Sequence, residues 1–226
     1  MSQKNGQEQM KYRMVIFDLD GTIVDGTESI WSTLHDFFGL SDSPQRLENR
    51  EKFFSSKIDY QEWAIEDLIL LKRHGADRNT IMKAMSKVRL MTGAKDTLSH
   101  LKKNGYKIAI VSGSLQMVLE KLIPDYEKVF DHVYINRIFF DPDGSINRIE
   151  AKHDFHDKSD SLLQICAAEK IEPEECVFVG DHDNDVDIAK LAGFAIAFNS
   201  KSKALNEACD VVINKKNLRE ILKYLD

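Results

Sequence analysis

Two aspartates, Asp18 and Asp20, follow the apolar run of residues 14–17 and are themselves followed by a glycine and by Thr22. A short apolar run that ends at such a turn is typical of a strand buried on both faces of a parallel sheet, and ligands bind beyond the carboxyl ends of these strands. Residues two apart in an extended chain point to the same side. Two carboxylates so placed can share a hard divalent cation such as Mg²⁺. The alternative, an acidic turn that merely ends a strand, is common, and this stretch by itself leaves both open.

Groups able to take part in the same chemistry occur at three later places in the chain. Ser112, a hydroxyl, and Gly113 follow the apolar run of residues 108–111. Lys158 opens an amphipathic helical pattern. A second acid pair, Asp181 and Asp185, follows the apolar run of residues 177–179. Taken singly, each has an ordinary structural explanation, namely a helix cap, a solvated charge and an acidic turn at a helix start.

Together, an acid pair, a hydroxyl, a lysine and a second acid pair resemble the four motifs of the haloacid dehalogenase-like phosphohydrolases. The resemblance extends over about residues 14–225. The acid at position 20 resembles the second acid of the first motif in the phosphohydrolases of that superfamily. The dehalogenases of the same fold lack this acid. The helical segment after the first motif and the Asn136-Arg137 pair before the turn at Asp143-Gly144 most resemble the phosphoserine phosphatase branch.

The resemblance implies a role for each aspartate. Asp18 would be the nucleophile that forms an aspartyl-phosphate, and Asp20 would protonate the leaving alcohol and later activate water. Mg²⁺ would be held by the Asp18 side chain, the Asp20 backbone carbonyl and Asp181, with Asp185 reaching it through water. The cation would allow several carboxylates to surround an anionic substrate.

The resemblance also implies how the phosphate would be bound. Ser112 and the Gly113 N–H, at the start of a helix, would hold the phosphate oxygens, and Lys158 would neutralise the nucleophile and the developing phosphoryl charge. Asn184 matches the last motif of the family. His182, where that branch usually has a small residue, is a candidate additional contact with the substrate, and a surface imidazole is the alternative.

The residues that would meet the rest of the substrate match the branch less well. Glu28 stands one place later than the glutamate that meets the substrate ammonium in phosphoserine phosphatases. Tyr60 matches an aromatic position, but Asp67 stands seven places later, where the branch has an arginine for the substrate carboxylate. An acid cannot form that bidentate contact. If Asp67 points inward, we expect weak turnover of phosphoserine and better turnover of a neutral or cationic phosphomonoester. If Asp67 faces solvent, no such preference follows.

Alternating strands and helices must position these residues. The pattern predicts strands, helices and one β-hairpin in the second part of the chain: strands at 107–111, 132–135, 177–179, 195–198 and 211–213, helices at 93–103, 114–122, 159–168, 186–191 and 218–225, and a hairpin over 137–149. Such alternation predicts an α/β fold with a doubly wound, mostly parallel sheet, a Rossmann-like core formed by residues 11–25 and 91–226.

Residues 26–90 carry four helical patterns and no strand candidate. One crossover between parallel strands needs only one helix, so these patterns predict a small inserted helical domain. The resemblance implies that this domain is a cap over the active site. The polar residues 1–10 are predicted to be a flexible tail.

Composition limits the classes of function. The chain has 226 residues, of which 42% are hydrophobic and 30% charged, as in a globular protein with a sizeable core. The net charge of −6 argues against a nucleic-acid binder. No apolar run is long enough for a membrane span, and residues 1–10 lack the apolar core of a signal peptide, which favours a cytoplasmic location. The three cysteines are scattered, without metal-ligand spacing, and are expected to be reduced and buried.

The sequence as a whole predicts a Mg²⁺-dependent phosphatase that acts on a small phosphorylated metabolite. Two alternatives remain at this point. A phosphomutase would use the same chemistry with the intermediate protected from water, and a non-catalytic metabolite-binding or scaffold protein would need none of it. The acid pairs argue against the second alternative, because a binder has no need of a nucleophile and an acid two residues apart.

Overall fold

A seven-stranded sheet runs through the computed structural model of this chain, which describes residues 11–155 and 157–225. The predicted tail, residues 1–10, lies outside the described residues. The strands are β1 (Met14–Phe17), β2 (Val24–Asp25), β3 (Arg89–Leu90), β4 (Lys107–Leu115), β5 (His132–Phe140), β6 (Ile146–Glu150), β7 (Cys176–Gly180), β8 (Phe194–Phe198) and β9 (Val211–Ile213). The large sheet has the order β6-β5-β4-β1-β7-β8-β9, and only β6 pairs antiparallel. The predicted mostly parallel α/β fold is confirmed.

The first strand is buried on both faces, as its unbroken apolar run predicts. Val15 and Phe17 belong to the larger apolar cluster on one side of the sheet, and Met14 and Ile16 to a second cluster on the other. All four side chains have no exposed surface. A strand in this position cannot shift its register without moving apolar groups between the two faces.

Ten α-helices are found among the described residues. They are α1 (Ile30–Phe37), α2 (Pro44–Phe54), α3 (Tyr60–Arg73), α4 (Arg78–Ala84), α5 (Ala94–Lys103), α6 (Gln116–Leu122), α7 (Tyr126–Val129), α8 (Asp157–Glu169), α9 (Val186–Leu191) and α10 (Lys203–Ala208). All five helices predicted after residue 90 are found within two residues of both their predicted ends, and four of them are α-helices. The last of them, Leu218–Tyr224, is a 3₁₀ helix.

The first four helices follow one another between β2 and β3. Each of α2, α3 and α4 begins at a side chain that accepts a hydrogen bond from a backbone N–H three residues later: Ser43, Asp59 and Asp77. These caps satisfy donors that a helix start leaves unpaired. The two-residue strands β2 and β3 pair antiparallel where the helical segment leaves and rejoins the core, a pairing that the sequence pattern does not predict. The division into a core and a cap at residues 26–90 stays a prediction.

The structure corrects one boundary that matters for the site. Residues 114 and 115 belong to β4, and α6 begins only at Gln116. Ser112 and Gly113 therefore lie in a strand. The prediction that they lie at the start of a helix is wrong. The apolar run 108–111 predicts that the strand ends at residue 111, but β4 continues through the small polar residues, where Ser112 and Leu115 pair with β5 across a register irregularity.

Two smaller expectations concern the cysteines and the membrane. Cys166 and Cys176 are buried with their sulfur atoms 3.6 Å apart, Cys209 is partly buried, and all three are free thiols. Within residues 11–155 and 157–225, no helix combines the length and the apolar character that crossing a membrane requires.

Candidate active site

The carboxyl ends of β1, β4 and β7 lie side by side and bring the sequence motifs together. Phe17 at the end of β1 is paired with Ile110 of β4 and with Val179 of β7. The residues that follow these strand ends line a cavity of about 290 Å³. Of the predicted site residues, those that line it are Asp18, Asp20, Glu28, Tyr60, Ser112, Gly113, Asp181 and Asn184. Lys158 and Asp185 lie behind this wall, with no exposed surface.

Lys158 is the only cation of the described residues that is fully buried among these acids. Its Nζ donates to Asp18 Oδ1 at 2.7 Å and to Asp185 Oδ1 at 2.6 Å, and it lies 4.0 Å from Asp154 Oδ1. Burial alone would lower the pKa of Lys158, but the carboxylates of Asp18, Asp185 and Asp154 raise it well above its usual value. The ammonium therefore stays charged and holds the Asp18 carboxylate in place.

Negative charge still exceeds positive charge around Lys158. Asp18, Asp181 and Asp185 each place one carboxylate oxygen within 4.8 Å of the others. Burial, opposed by Lys158 and increased by Asp185, raises the pKa of Asp18 to about 8, and burial also raises the pKa of Asp181 well above its usual value. A divalent cation among these oxygens would lower both pKa values by direct attraction. The donor set consists of oxygen alone, and it fits a hard cation of the Mg²⁺ type.

Asp20 is held from two directions. One oxygen accepts a hydrogen bond from the Ile30 N–H at 2.7 Å, and the other accepts from the Ser114 hydroxyl at 2.9 Å. Burial raises the pKa of Asp20 to about 6, with these two donors opposing. Ile30 is the first residue of α1, so this carboxylate joins the helical segment to the core. The sequence had not identified Ser114, whose position follows from the continuation of β4.

Gly113, next to the buried Ser112, lies against a carboxylate that the sequence motifs do not include. Ser112 is 2% exposed, and its Oγ accepts a hydrogen bond from the Ser114 N–H at 3.2 Å. A Cβ atom on Gly113 would come within 2.0 Å of Asp154 Oδ2, so only glycine leaves room for Asp154. Burial raises the pKa of Asp154, with Lys158 opposing. Its position four residues before Lys158, just ahead of α8, was the signal available in the sequence.

The Gly113 carbonyl joins the helical segment to the sheet. It accepts hydrogen bonds from Asn136 Nδ2 at 2.7 Å, Trp31 Nε1 at 3.0 Å and the Tyr60 hydroxyl at 3.4 Å, and Asn136 Nδ2 also lies 2.7 Å from that hydroxyl. Trp31 and Tyr60 come from α1 and α3, and Asn136 from β5. The sequence suggested Tyr60 as a substrate contact, but it carried no local signal that Trp31 and Asn136 would converge on the same carbonyl.

The last motif is ordered by its own backbone. Asp185 Oδ2 accepts hydrogen bonds from the N–H groups of Asp181 and His182, at 2.9 and 3.1 Å. The Thr22 hydroxyl donates to Asp181 Oδ1 at 3.3 Å, which connects the first motif with the last. Asn184 donates through its amide to Asp154. The predicted residues of this motif thus lie together, with Asp185 one layer behind Asp181.

Two candidate substrate contacts lie at the mouth of the cavity. The Glu28 side chain is 81% exposed and pairs with Lys201 at 2.6 Å, and this pairing lowers the pKa of Glu28. His182 is exposed at the rim. Neither side chain is held in a defined direction toward the carboxylate cluster, and contact with a substrate stays a prediction for both.

Asp67 points inward, which decides between the two orientations that the sequence left open. It is 4% exposed, lines the same cavity, and accepts a hydrogen bond from Asn49 Nδ2 at 3.2 Å. Its Oδ2 lies 3.4 Å from Nε2 of His35. Burial raises the pKa of Asp67 to about 6 and lowers the pKa of His35 to about 4. Near pH 7, an ionised carboxylate therefore stands beside a neutral imidazole.

Replacing Asp67 by Asn should stabilise the protein at neutral pH but not in acid. Burial favours the protonated carboxyl of Asp67 in the folded state. The stability that this preference adds is fully present below the unfolded pKa of about 3.9 and is lost as the pH rises through the folded pKa of about 6. An amide does not titrate. The unfolding free energy of Asp67→Asn relative to wild type should rise by up to about 3 kcal/mol between pH 4 and pH 7.5.

Denaturant unfolding at the two pH values measures this change. Asp42→Asn, at an exposed position before α2, is the matched control and should show little change with pH. The same pH dependence in both variants would contradict the inward, desolvated position of Asp67.

Comparisons with known proteins identify the family of this chain. A family model described as haloacid dehalogenase-like hydrolase matches residues 12–193. A phosphoserine phosphatase of Methanocaldococcus jannaschii is 29% identical over 225 residues, which cover 96% of this chain and 99% of that protein. A phosphoserine phosphatase of Archaeoglobus fulgidus is 31% identical over 207 residues, 91% of this chain and 58% of the longer relative. A solved structure of a phospho-aspartyl intermediate analogue of phosphoserine phosphatase matches with a TM-score of 0.75 at 29% identity, over 96% of this chain and 100% of that one.

Proposed function

This chain belongs to the haloacid dehalogenase-like hydrolases, and we propose that its carboxylate cluster hydrolyses a small phosphomonoester with Asp18 as the nucleophile. It is a phosphoric monoester hydrolase that resembles the phosphoserine phosphatases and works through an aspartyl-phosphate. The observation that carries the assignment to Asp18 is its position at the end of β1, where Lys158 Nζ holds one carboxylate oxygen at 2.7 Å and the cavity is open to the side chain.

We propose that Mg²⁺ is the cofactor. The side chains of Asp18 and Asp181 and the backbone carbonyl of Asp20 would hold it. Both oxygens of Asp185 already accept hydrogen bonds, from Lys158 and from the two backbone N–H groups, which supports a contact through water. When bound, the cation supplies charge neutralisation and orientation for the phosphoryl group.

The protein groups account for the two chemical steps. An oxygen of Asp18 attacks phosphorus, and the bond between phosphorus and the leaving oxygen breaks as Asp20 donates a proton to that oxygen. Asp20, now ionised, takes a proton from water, whose oxygen attacks phosphorus and releases the Asp18 carboxylate with inorganic phosphate. The Ile30 N–H and the Ser114 hydroxyl fix the orientation of Asp20 for both proton transfers.

The phosphate oxygens would be bound by Ser112, by the Gly113 N–H and by Lys158. Ser112 and Gly113 present these groups from a strand, so the proposed binding does not depend on a helix dipole. Lys158 lies behind Asp18 and stays charged, and it would stabilise the negative charge that develops on the transferring group. Asn184 would act by orienting Asp154 beside Lys158.

We further propose that residues 26–90 form a helical cap over a core of residues 11–25 and 91–226. Support comes from the contacts that α1 and α3 make with the Gly113 carbonyl and that α1 makes with Asp20. A cap so placed would exclude bulk water and select the leaving alcohol. The substrate would then be a phosphorylated metabolite small enough for the cavity, in keeping with a cytoplasmic enzyme. No contact among the described residues favours a phosphomutase or a non-catalytic binding protein.

Release of inorganic phosphate tests this function. With Mg²⁺, the purified full chain should hydrolyse p-nitrophenyl phosphate, which needs no specific leaving-group contact. It should hydrolyse some members of a panel of phosphorylated metabolites faster than p-nitrophenyl phosphate. Absence of phosphate release from every compound in the presence of Mg²⁺ would contradict the proposed function. Release of phosphate together with transfer to an added sugar phosphate would favour the mutase.

A further inference from the structure

One end of the cavity is lined by residues that the phosphoryl chemistry does not use. Three side chains on two neighbouring helices form this end, and we call them the distal pocket: His35 on α1, and Trp63 and Asp67 on α3. They line the same cavity as Asp18 and Ser112, so the part of a substrate beyond its phosphate would reach them. Their chemistry should therefore reflect the leaving alcohol.

His35 is buried with unused polar atoms. The residue is 1% exposed, and neither Nδ1 nor Nε2 of its ring forms a hydrogen bond with a described residue. Leaving a buried polar group unpaired is costly, so such groups in native proteins usually have a ligand or water partner. Because His35 lines the cavity, a bound molecule can supply that partner.

Asp67 defines the sign of the charge that fits. Asn49 donates to Oδ1, which leaves Oδ2 facing Nε2 of His35 at 3.4 Å. In the imidazole tautomer with its proton on Nδ1, Nε2 is an acceptor, and two acceptors then face each other. A group that donates two hydrogen bonds satisfies both, and a positive charge on that group also compensates the buried carboxylate.

The surrounding side chains are compatible with a cation. Trp63 and Tyr60 contribute aromatic rings to the cavity wall, and aromatic faces attract cations. The positive charge of Arg46 helps to lower the pKa of both Asp67 and His35, so it already offsets part of the charge of Asp67, although Arg46 and Asp67 form no ion pair within 4.0 Å. Arg46 donates to the Ser41 carbonyl at 2.5 Å, and the guanidinium of Arg50 lies 5.2 Å from the ring centroid of Phe54, at an exposed position.

We infer that the distal pocket binds a primary ammonium group, and that the substrate is a phosphorylated amino alcohol without a carboxylate. The inference rests on the proposed phosphatase function and adds the substrate class to it. Asp67 and His35 accept hydrogen bonds from the ammonium, and Asn49 keeps the carboxylate oriented. A carboxylate on the substrate carbon next to the amine adds a negative charge close to Asp67 and is disfavoured.

The experiment compares kcat/KM for substrates that differ only at this end. Phosphoethanolamine carries the ammonium, 2-hydroxyethyl phosphate replaces it with a hydroxyl of similar size, and phosphoserine adds a carboxylate. Wild type should prefer phosphoethanolamine to each of the others by roughly 10- to 100-fold, the effect expected of one hydrogen bond between charged groups. The comparison needs no variant, so it does not depend on the folding of one.

A variant then assigns the preference to Asp67. Asp67→Asn keeps the shape of the side chain and should reduce the ratio of kcat/KM for phosphoethanolamine to that for 2-hydroxyethyl phosphate by about tenfold or more. The matched control, Asp42→Asn, changes the net charge equally at an exposed position and should leave this ratio as in wild type. A ratio between two substrates is independent of the fraction of folded enzyme.

The possible outcomes separate the two proposals. Equal turnover of the three substrates, a preference for phosphoserine, or an unchanged ratio in Asp67→Asn would each overturn the ammonium pocket while the phosphatase function stands. A preference for phosphoserine would instead assign Arg46 and Arg50 to a substrate carboxylate. Failure to hydrolyse any phosphomonoester, including p-nitrophenyl phosphate, would overturn both proposals.

Discussion

Asp18→Asn is expected to reduce phosphate release by roughly 10³-fold or more while the protein stays folded. The amide has the shape of the carboxylate but cannot attack phosphorus, so the covalent step is lost and only the binding groups remain. The fold should persist because β1 is held by apolar contacts on both faces, and because Lys158 keeps its 2.6 Å hydrogen bond to Asp185. Circular dichroism and phosphate release, measured on the same sample, test both parts.

Asp160→Asn provides the control for this variant. Asp160 lies on α8, two residues from Lys158, and its side chain is exposed. The substitution removes one negative charge near the site without touching the cluster, so activity should stay close to wild type. If the folded Asp18→Asn protein kept activity within about tenfold of wild type, another group would have to be the nucleophile.

Removing divalent cations with EDTA should abolish activity, and Mg²⁺ should restore it. The reason is the cluster of Asp18, Asp181 and Asp185. Without a cation these groups either repel an anionic substrate or, because their pKa values are raised, bind protons, and a protonated Asp18 is a poor nucleophile. A loss of about 100-fold or more is expected. Ca²⁺ should support activity poorly, because its larger and looser coordination would misplace the nucleophile. Full activity in buffer freed of metal would contradict the proposed cofactor.

Binding of the cation can be detected without turnover. Mg²⁺ should raise the thermal midpoint of wild type, since a ligand of the folded state stabilises it. Asp181→Asn, which removes one proposed ligand, should show a smaller rise at the same Mg²⁺ concentration. In the activity assay with EDTA, EDTA already saturated with Mg²⁺ is the control for effects of the chelator itself. Equal stabilisation of wild type and Asp181→Asn would exclude Asp181 as a ligand.

The local pattern of the sequence determined the strands and where their ends lie. Apolar runs at 14–17 and 177–179 predicted β1 and β7, and side chains after parallel strands meet at one edge of a sheet. This was enough to place Asp18 near Asp181. The order of the motifs then predicted the family, because the types of residue and their order along the chain resemble those of the haloacid dehalogenase-like phosphohydrolases. Such information is local or a matter of order along the chain, and one sequence contains it.

The end of β4 shows where the local pattern was insufficient. Small polar residues after an apolar run predicted a helix from residue 114, yet the strand continues to Leu115. Pairing of Ser112 and Leu115 with β5, about 20 residues further along the chain, overrides the local preference. The consequence is functional, since Ser114 points its hydroxyl at Asp20 only from the strand.

Only the tertiary structure decided the direction of Asp67 and the partners of the Gly113 carbonyl. The sequence pattern of α3 allowed Asp67 to lie on either the inner or the outer face of the helix, because the apolar residues form a broad stripe. The structure leaves two of them, Ile65 and Ile69, exposed. Packing of α1, α2 and α3 turned Asp67 toward His35 and Asn49, and the same packing brought Trp31 and Tyr60 to Gly113. These contacts join residues up to 82 positions apart, and the free energy of such long-range packing is not encoded in any local window of the sequence.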